Sequence, residues 1–158
     1  MSKLLLDEFL LPILPRLAVS IGLNEAVILQ QVHYWLVVYE QSKSLSHYKD
    51  GRWWVYNSVR HWQTNFPFWS LATIARTLQS LRQPFPPKGK KLKKDDSRLE
   101  RRPLLLTTDK YNKLAYDKTL WYTICYDEVR RIEEIMSDYT YLCHFAIMDS
   151  SNLSEPIP

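Results

Sequence analysis

A mostly helical α+β domain with a three-stranded antiparallel sheet is the fold class this sequence predicts, and three observations carry the prediction. Residues 57–83 read as two helices separated by a tight, Pro-containing turn. Three short runs near 53–56, 104–108 and 120–126 are rich in aromatic and β-branched residues, the composition of strands. The last two runs flank a polar stretch carrying Lys110, Lys113 and Lys118, which makes them a hairpin with a cationic tip.

Taken in order, the chain begins with an apolar, acid-punctuated run over residues 2–14, expected as a strand-like or irregular arm covering the core. Pro15 suits the first position of a short helix and Gly22 its end. Asn24 is placed to cap a long helix, NEAVILQQVHYWLVVYEQ, with Glu25 favourably set in its first turn. Ile28, Val32, Trp35, Leu36 and Tyr39 share a broad face there. So wide an apolar surface suits a central core helix, or one that also packs against a second subunit, and a homodimer is among the expected assemblies. Residues 42–52 are polar and end in the turn signal Asp50-Gly51, after which Trp53 to Tyr56 read as a strand.

The helix pair follows directly. Val59, Trp62 and Phe66 recur at intervals of three and four, with Asn57 or Ser58 as cap. Pro67 disfavours helical geometry at Phe66, and Ser70 restarts the chain as a second cap. Leu71, Ile74, Leu78 and Leu81 line one side of the second helix; Ala72, Thr73, Arg76, Gln79, Ser80 and Gln83 are left towards the other. After Gln83 the segment 84–102 is rich in Pro and charge without apolar periodicity, an excursion from the fold. Asp127 is placed to cap a last helix with Val129, Ile132 and Met136 on one face. Tyr139, Tyr141, Leu142 and Phe145 suit docking on the core or on another protein, and residues 150–158 are expected to fray. The order helix, strand, helix, helix, strand, loop, strand is that of a winged helix-turn-helix. The expected organisation is a winged-helix domain over 1–136 with a basic insertion at 84–102, then a C-terminal tail over 137–158, partly docked or disordered.

Composition narrows the function classes. A chain of 158 residues suits one domain, or one with an extension, and six Trp and ten Tyr supply a core. Three glycines leave no Gly-rich phosphate loop of either nucleotide-binding kind. Pro12, Pro15 and Arg16 interrupt the apolar residues 9–23, so no membrane-spanning run is expected there, and no secretory signal is evident. Cys125 and Cys143 lack paired spacing, which fits reduced thiols in a cytoplasm. The net charge of +4 is uneven: residues 84–118 hold eleven Lys/Arg against five Asp/Glu, a surplus of six, so the remainder sums to −2. A basic character confined to one segment suits a polyanion-facing patch.

The wording of three tracts is informative. LNEAVILQQVHYWL at 23–36, DGRWWVYNSVRHWQTNFPFWSLATIARTLQSL at 50–81 and YNKLAYDKTLWYTICYD at 111–127 resemble the winged-helix region of phage and plasmid replication proteins, the replisome-organiser and DnaD-like primosomal group. The most specific parts lie at Gln30 to Trp35, Trp62 to Trp69 and Asp117 to Tyr122. The resemblance implies a winged-helix frame and a role in replication initiation or its control in a phage, plasmid or other mobile element, in the host cytoplasm. The chain departs from relatives of this group by the insertion at 84–102.

The chemistry follows from the helix pair and the loop. Thr73, Arg76, Gln79 and Ser80 would read base edges in a major groove, where Arg pairs with guanine acceptors. Ser70, Lys110, Lys113 and Lys118 would hold phosphates, as would Arg98, Arg101 and Arg102 with Lys90 and Lys91. The other reading of the second helix is an ordinary amphipathic helix with a solvated face, and of the 84–102 cations a solubilising loop. The six tryptophans fall at periodic or strand positions, which favours core packing over base stacking. His33, His47, His61 and His144 show no metal-ligand spacing, and no nucleophile with a base stands out, so no enzyme and no cofactor are expected. Two partner classes stay open: double-stranded DNA, or a replisome or host protein bound through the same frame.

Overall fold

The computed structural model describes residues 10–85 and 102–137. Its elements run α1 (Pro15–Ile21), α2 (Leu23–Gln41), a 3₁₀ turn (Leu45–His47), β1 (Tyr48–Lys49), β2 (Arg52–Trp53), β3 (Val55–Asn57), α3 (Val59–Asn65) and α4 (Leu71–Arg82). Then come β4 (Pro84–Phe85), β5 (Arg102–Pro103), β6 (Leu105–Thr108), β7 (Leu120–Ile124) and α5 (Tyr126–Ser137). The architecture is α+β, mostly helical, with a three-stranded antiparallel sheet. A division between Cys125 and Tyr126 separates two units, and α5 opens the second.

The sheet has the order β3-β7-β6. Val55 faces Tyr122 and Asn57 faces Leu120 on one side of β7; Leu105 faces Ile124 and Thr108 faces Trp121 on the other. The core lies between this sheet and three helices. Ile28, Val32 and Leu36 of α2, Trp62 and Phe66 of the α3 region and Ile74, Leu78 and Leu81 of α4 are all buried in it. Val55, Leu105 and Tyr122 close it from the sheet. Helix α2 packs on α4 and β7, and α4 packs on α3 and β6, so α4 is held from three directions.

Sequence explains most boundaries. Pro15 occupies the first turn of α1, and the helix stops at Gly22, whose φ of +110° is one that L side chains rarely adopt. Gly22 donates its N–H to the Ala18 carbonyl at 2.8 Å and accepts from the Ala26 N–H at 2.9 Å, ending one helix and starting the next. Asn24 is therefore not the cap of α2: its place is taken by Gly22, and Asn24 sits inside the first turn. Asp127 is displaced in the same way, because α5 begins at Tyr126 and β7 ends at Ile124. Within α5, Glu128 receives Arg131 at 2.5 Å, and Arg130 lies 3.4 Å from Asp127.

Other expectations are corrected. The strand at 53–56 is broken in two. Trp54 donates its backbone N–H to the His47 carbonyl (2.8 Å) and its indole N–H to the Lys49 carbonyl (3.0 Å), so it closes the β1–β2 hairpin instead of extending a strand. Trp53 pairs with Tyr48, and the main sheet resumes at Val55. Residues 10–14 do not cover the core: Leu10 is 67% and Ile13 58% exposed, and Pro12 and Pro15 lack the N–H groups that a ladder needs. Residues 2–9 of the expected arm lie outside the described residues, as does the tail beyond Ser137. The ends of the 84–102 segment pair with each other, Pro84 opposite Pro103 and Phe85 opposite Arg102. Among the described residues, no helix is long and apolar enough to cross a membrane.

Candidate functional site

Helix α4 is positioned from its start. The Ser70 hydroxyl accepts the Thr73 N–H at 3.1 Å and lies 3.0 Å from the Thr73 hydroxyl, so both side chains serve the cap. Ile74, Thr77, Leu78 and Leu81 are buried, and Thr77 turns its hydroxyl back onto the Thr73 carbonyl at 2.8 Å. Leu71, expected on that inner face, is 37% exposed, since it precedes the first turn that the core grips. Ala72, Ala75, Arg76, Gln79, Ser80 and Gln83 are exposed. The turn ahead of the helix is fixed by Gln63, whose side-chain amide donates to the Trp69 carbonyl at 3.1 Å, and by Phe66 against the Trp69 ring. Ser58, one of the two proposed caps, accepts the His61 N–H at 3.1 Å, while Asn57 is buried in β3.

The loop 109–119 between β6 and β7 is built differently. The Asn112 side-chain amide donates to the carbonyls of Asp117 (2.7 Å) and Thr119 (2.9 Å) and accepts the Trp121 indole N–H at 2.7 Å. Tyr56 donates its hydroxyl to the Asp117 carboxylate at 2.7 Å, and the Thr119 N–H reaches the same group at 3.0 Å. These donors, Tyr56 first, hold the Asp117 carboxyl below its ordinary range. Rings of His47, Tyr56 and Tyr111 surround Trp121, with Tyr39 stacked on His47 at 3.8 Å. At the far end of the loop, the Asp50 carboxylate receives the Lys110 ammonium and the Tyr111 hydroxyl, each at 2.6 Å. The Lys110 bond, then the Tyr111 bond, lower the Asp50 carboxyl, and Asp50 in turn raises Lys110.

Of the residues read as phosphate contacts, the fold therefore brings Lys110 against Asp50, and Lys118 lies 3.7 Å from Asp109. Lys113 is exposed and makes no ion pair among the described residues. Arg102 is exposed in β5; Arg98, Arg101, Lys90 and Lys91 lie outside the described residues. Thr73, Arg76, Gln79 and Ser80 do share the outward side of one helix, and Arg76 makes no ion pair among the described residues.

Some participants escape a local reading. Asp50 and Tyr56 each reach a partner 61 residues away, a pairing that no short motif announces. One signal was available: residues 51–94 contain no Asp or Glu. That stretch spans both helices and adds exposed Arg52, Arg60 and Arg82 to Arg76. An open groove of about 620 Å³ lies between the start of α3 and the loop, lined by Ser58, Leu114, Tyr116 and Thr119 among others. Tyr116 is 80% and Leu114 52% exposed. Trp54 and Trp62 are buried, while Trp35, Trp53, Trp69 and Trp121 are half-buried in ring contacts. Among the described residues, no group of three or more His, Cys, Asp or Glu is arranged to hold a metal ion. The chain matches no protein-family model, no curated protein and no solved structure.

Proposed function

We propose that this chain is a DNA-binding protein on a winged-helix frame, with α4 as the helix that enters the major groove of duplex DNA and loop 109–119 as the wing. The observation that carries the reading is the outward side of α4. It is exposed, small and polar, with one long cation at its middle, and it belongs to a stretch free of carboxylates. Within that stretch a polyanion meets no carboxylate to repel it. The order β3-β7-β6, with α3 and α4 between β3 and the β6–β7 hairpin, is the connection a winged helix uses. Thr73, Arg76, Gln79 and Ser80 are assigned to base edges, and Ser70, Lys113, Lys118 and Arg102 to phosphates. The resemblance to phage and plasmid replication proteins extends the reading to replication initiation or its control, in a cytoplasm and without catalysis.

Selection of bound duplexes from a random pool, followed by binding measurements at several salt concentrations, tests it. Affinity should fall with log salt by about 0.9 per phosphate contacted. Salt-independent binding, or no enrichment of any sequence, would remove the groove assignment.

A second reading, a replisome or host-protein adaptor, is favoured by apolar side chains on the first two helices: Val19 is 41% and Leu23 53% exposed. Capture of a partner that survives nuclease treatment and deletion of 84–102 would support that reading. A homodimer through the same helices would instead give two half-sites about one helical turn apart.

A further inference from the structure

Lys110 and Tyr111 direct two donors at one point. The Lys110 ammonium and the Tyr111 hydroxyl both reach Oδ2 of Asp50, each at 2.6 Å. The donors are neighbours in one loop, whereas their acceptor arrives from a hairpin turn 61 residues earlier. The Tyr111 side chain has support besides Asp50. The Tyr111 ring is held edge-on by Trp54 at 5.4 Å and Trp121 at 5.8 Å, and the Lys110 ammonium sits 4.9 Å from the centre of that ring. The hydroxyl is thus aimed at an anion position by groups other than the anion now filling it, and the cation lies beside the same ring.

The occupant is weakly committed. Asp50 and Lys110 side chains are 63% and 60% exposed, and exposed ion pairs of this kind contribute little to stability. Asp50 stands at φ +51° beside Gly51 at φ +75°, the tip of a hairpin whose two strands are two residues each. It is also the last carboxylate before the acid-free stretch 51–94.

We infer that Lys110 and Tyr111 form a binding site for one phosphodiester oxygen of nucleic acid, and that Asp50 occupies it as an internal stand-in for phosphate. Both ligands offer a singly charged, acceptor-only oxygen to the same two donors. On binding, a backbone phosphate displaces the carboxylate, and the Asp50 turn withdraws. Asp50 thereby lowers affinity for all duplexes alike, a restraint on non-specific binding. This rests on the DNA-binding reading for its natural ligand, while the two-donor site itself does not.

Asp50→Asn tests it, because Asn is well tolerated in the left-handed conformation and retains the side chain's shape. Duplex binding is measured by fluorescence anisotropy from about 50 to about 200 mM salt for the wild type, Asp50→Asn, Lys110→Met and the double variant. Asp50→Asn should bind about two- to fivefold tighter. Its salt slope should steepen by about 0.9, and both gains should vanish in the double variant. No gain, or a gain that persists without Lys110, overturns the inference and leaves the DNA reading standing. Inorganic phosphate supplies the second arm, followed by NMR at the Lys110 ammonium and the Tyr111 ring. Saturable shifts in Asp50→Asn that are absent from the double variant, with no duplex binding by any of the four proteins, would uphold the site and reject the DNA reading. No shift and no duplex binding would reject both.

Discussion

The outward side of α4 and the loop 109–119 look alike in sequence, each polar and cation-bearing, yet the fold treats them in opposite ways. On α4 the polar side chains have the core behind them and solvent in front, and Arg76 makes no ion pair among the described residues. In the loop, Lys110 and Lys118 are set against Asp50 and Asp109, while Asp117 is held by Tyr56 and the Thr119 N–H. A basic run in sequence is therefore not a basic surface. Whether a cation is available depends on which acids the topology sets against it, one from the same loop for Lys118 and one from a distant hairpin for Lys110.

Experiments that break the contrast are expected to do so in descending order of size. Asn112→Ala removes three hydrogen bonds at the centre of the loop and should cost about 3 kcal/mol, at roughly 1 each. Urea unfolding followed by tryptophan fluorescence measures it; a loss well below that would mean that the loop is not held by this side chain. Arg76→Ala leaves stability nearly unchanged and should cost about 1–3 kcal/mol at a preferred duplex against a random one. If the ratio of the two affinities did not move, α4 would not be the reading element.

Lys113→Ala sharpens the contrast within the loop. It should flatten the salt dependence by about 0.9 on every duplex, whereas Lys118→Ala, with Asp109 nearby, should flatten it less. Equal effects of the two would show that the ion pair dissolves before DNA arrives.

The smallest effect concerns acid. The Asp117 carboxyl is depressed in the fold, chiefly by the Tyr56 hydroxyl, so its contribution is complete above the ordinary value of 3.8 and is lost as pH falls through the lower folded value. The Trp121 indole N–H resonance should accordingly stay fixed from about pH 7 to about pH 4, and move only below that. Movement between about pH 7 and about pH 5 would mean that the indole does not report on the Asp117 carboxylate.

Periodicity and capping made the helix pair readable: Ser58, Ser70, Trp62, Phe66, Ile74, Leu78 and Leu81 all sit where spacing places them. These are effects of neighbours three or four residues apart, which a single sequence displays. Trp54 was misread because its strand composition is genuine, but its two N–H groups are engaged by His47 and Lys49. Asn24 was misread because a glycine with φ +110° can serve two helices at once. The Lys110–Asp50 pair was not legible at all, since nothing local to Lys110 refers to Asp50. The absence of acids over 51–94 was legible, and it required counting what is missing.

The pairing of β4 with β5 has a consequence for how this sequence can change. Pro84 and Pro103 stand opposite each other, so the two ends of the intervening segment are held together at a single doorway. The length of chain between those jambs is only weakly constrained, because loop-closure entropy grows slowly with length. Lineages could lengthen, trim or exchange that passage while β6 and α4 keep their registers. The same doorway offers the experimenter a place to graft a fluorophore or a foreign peptide.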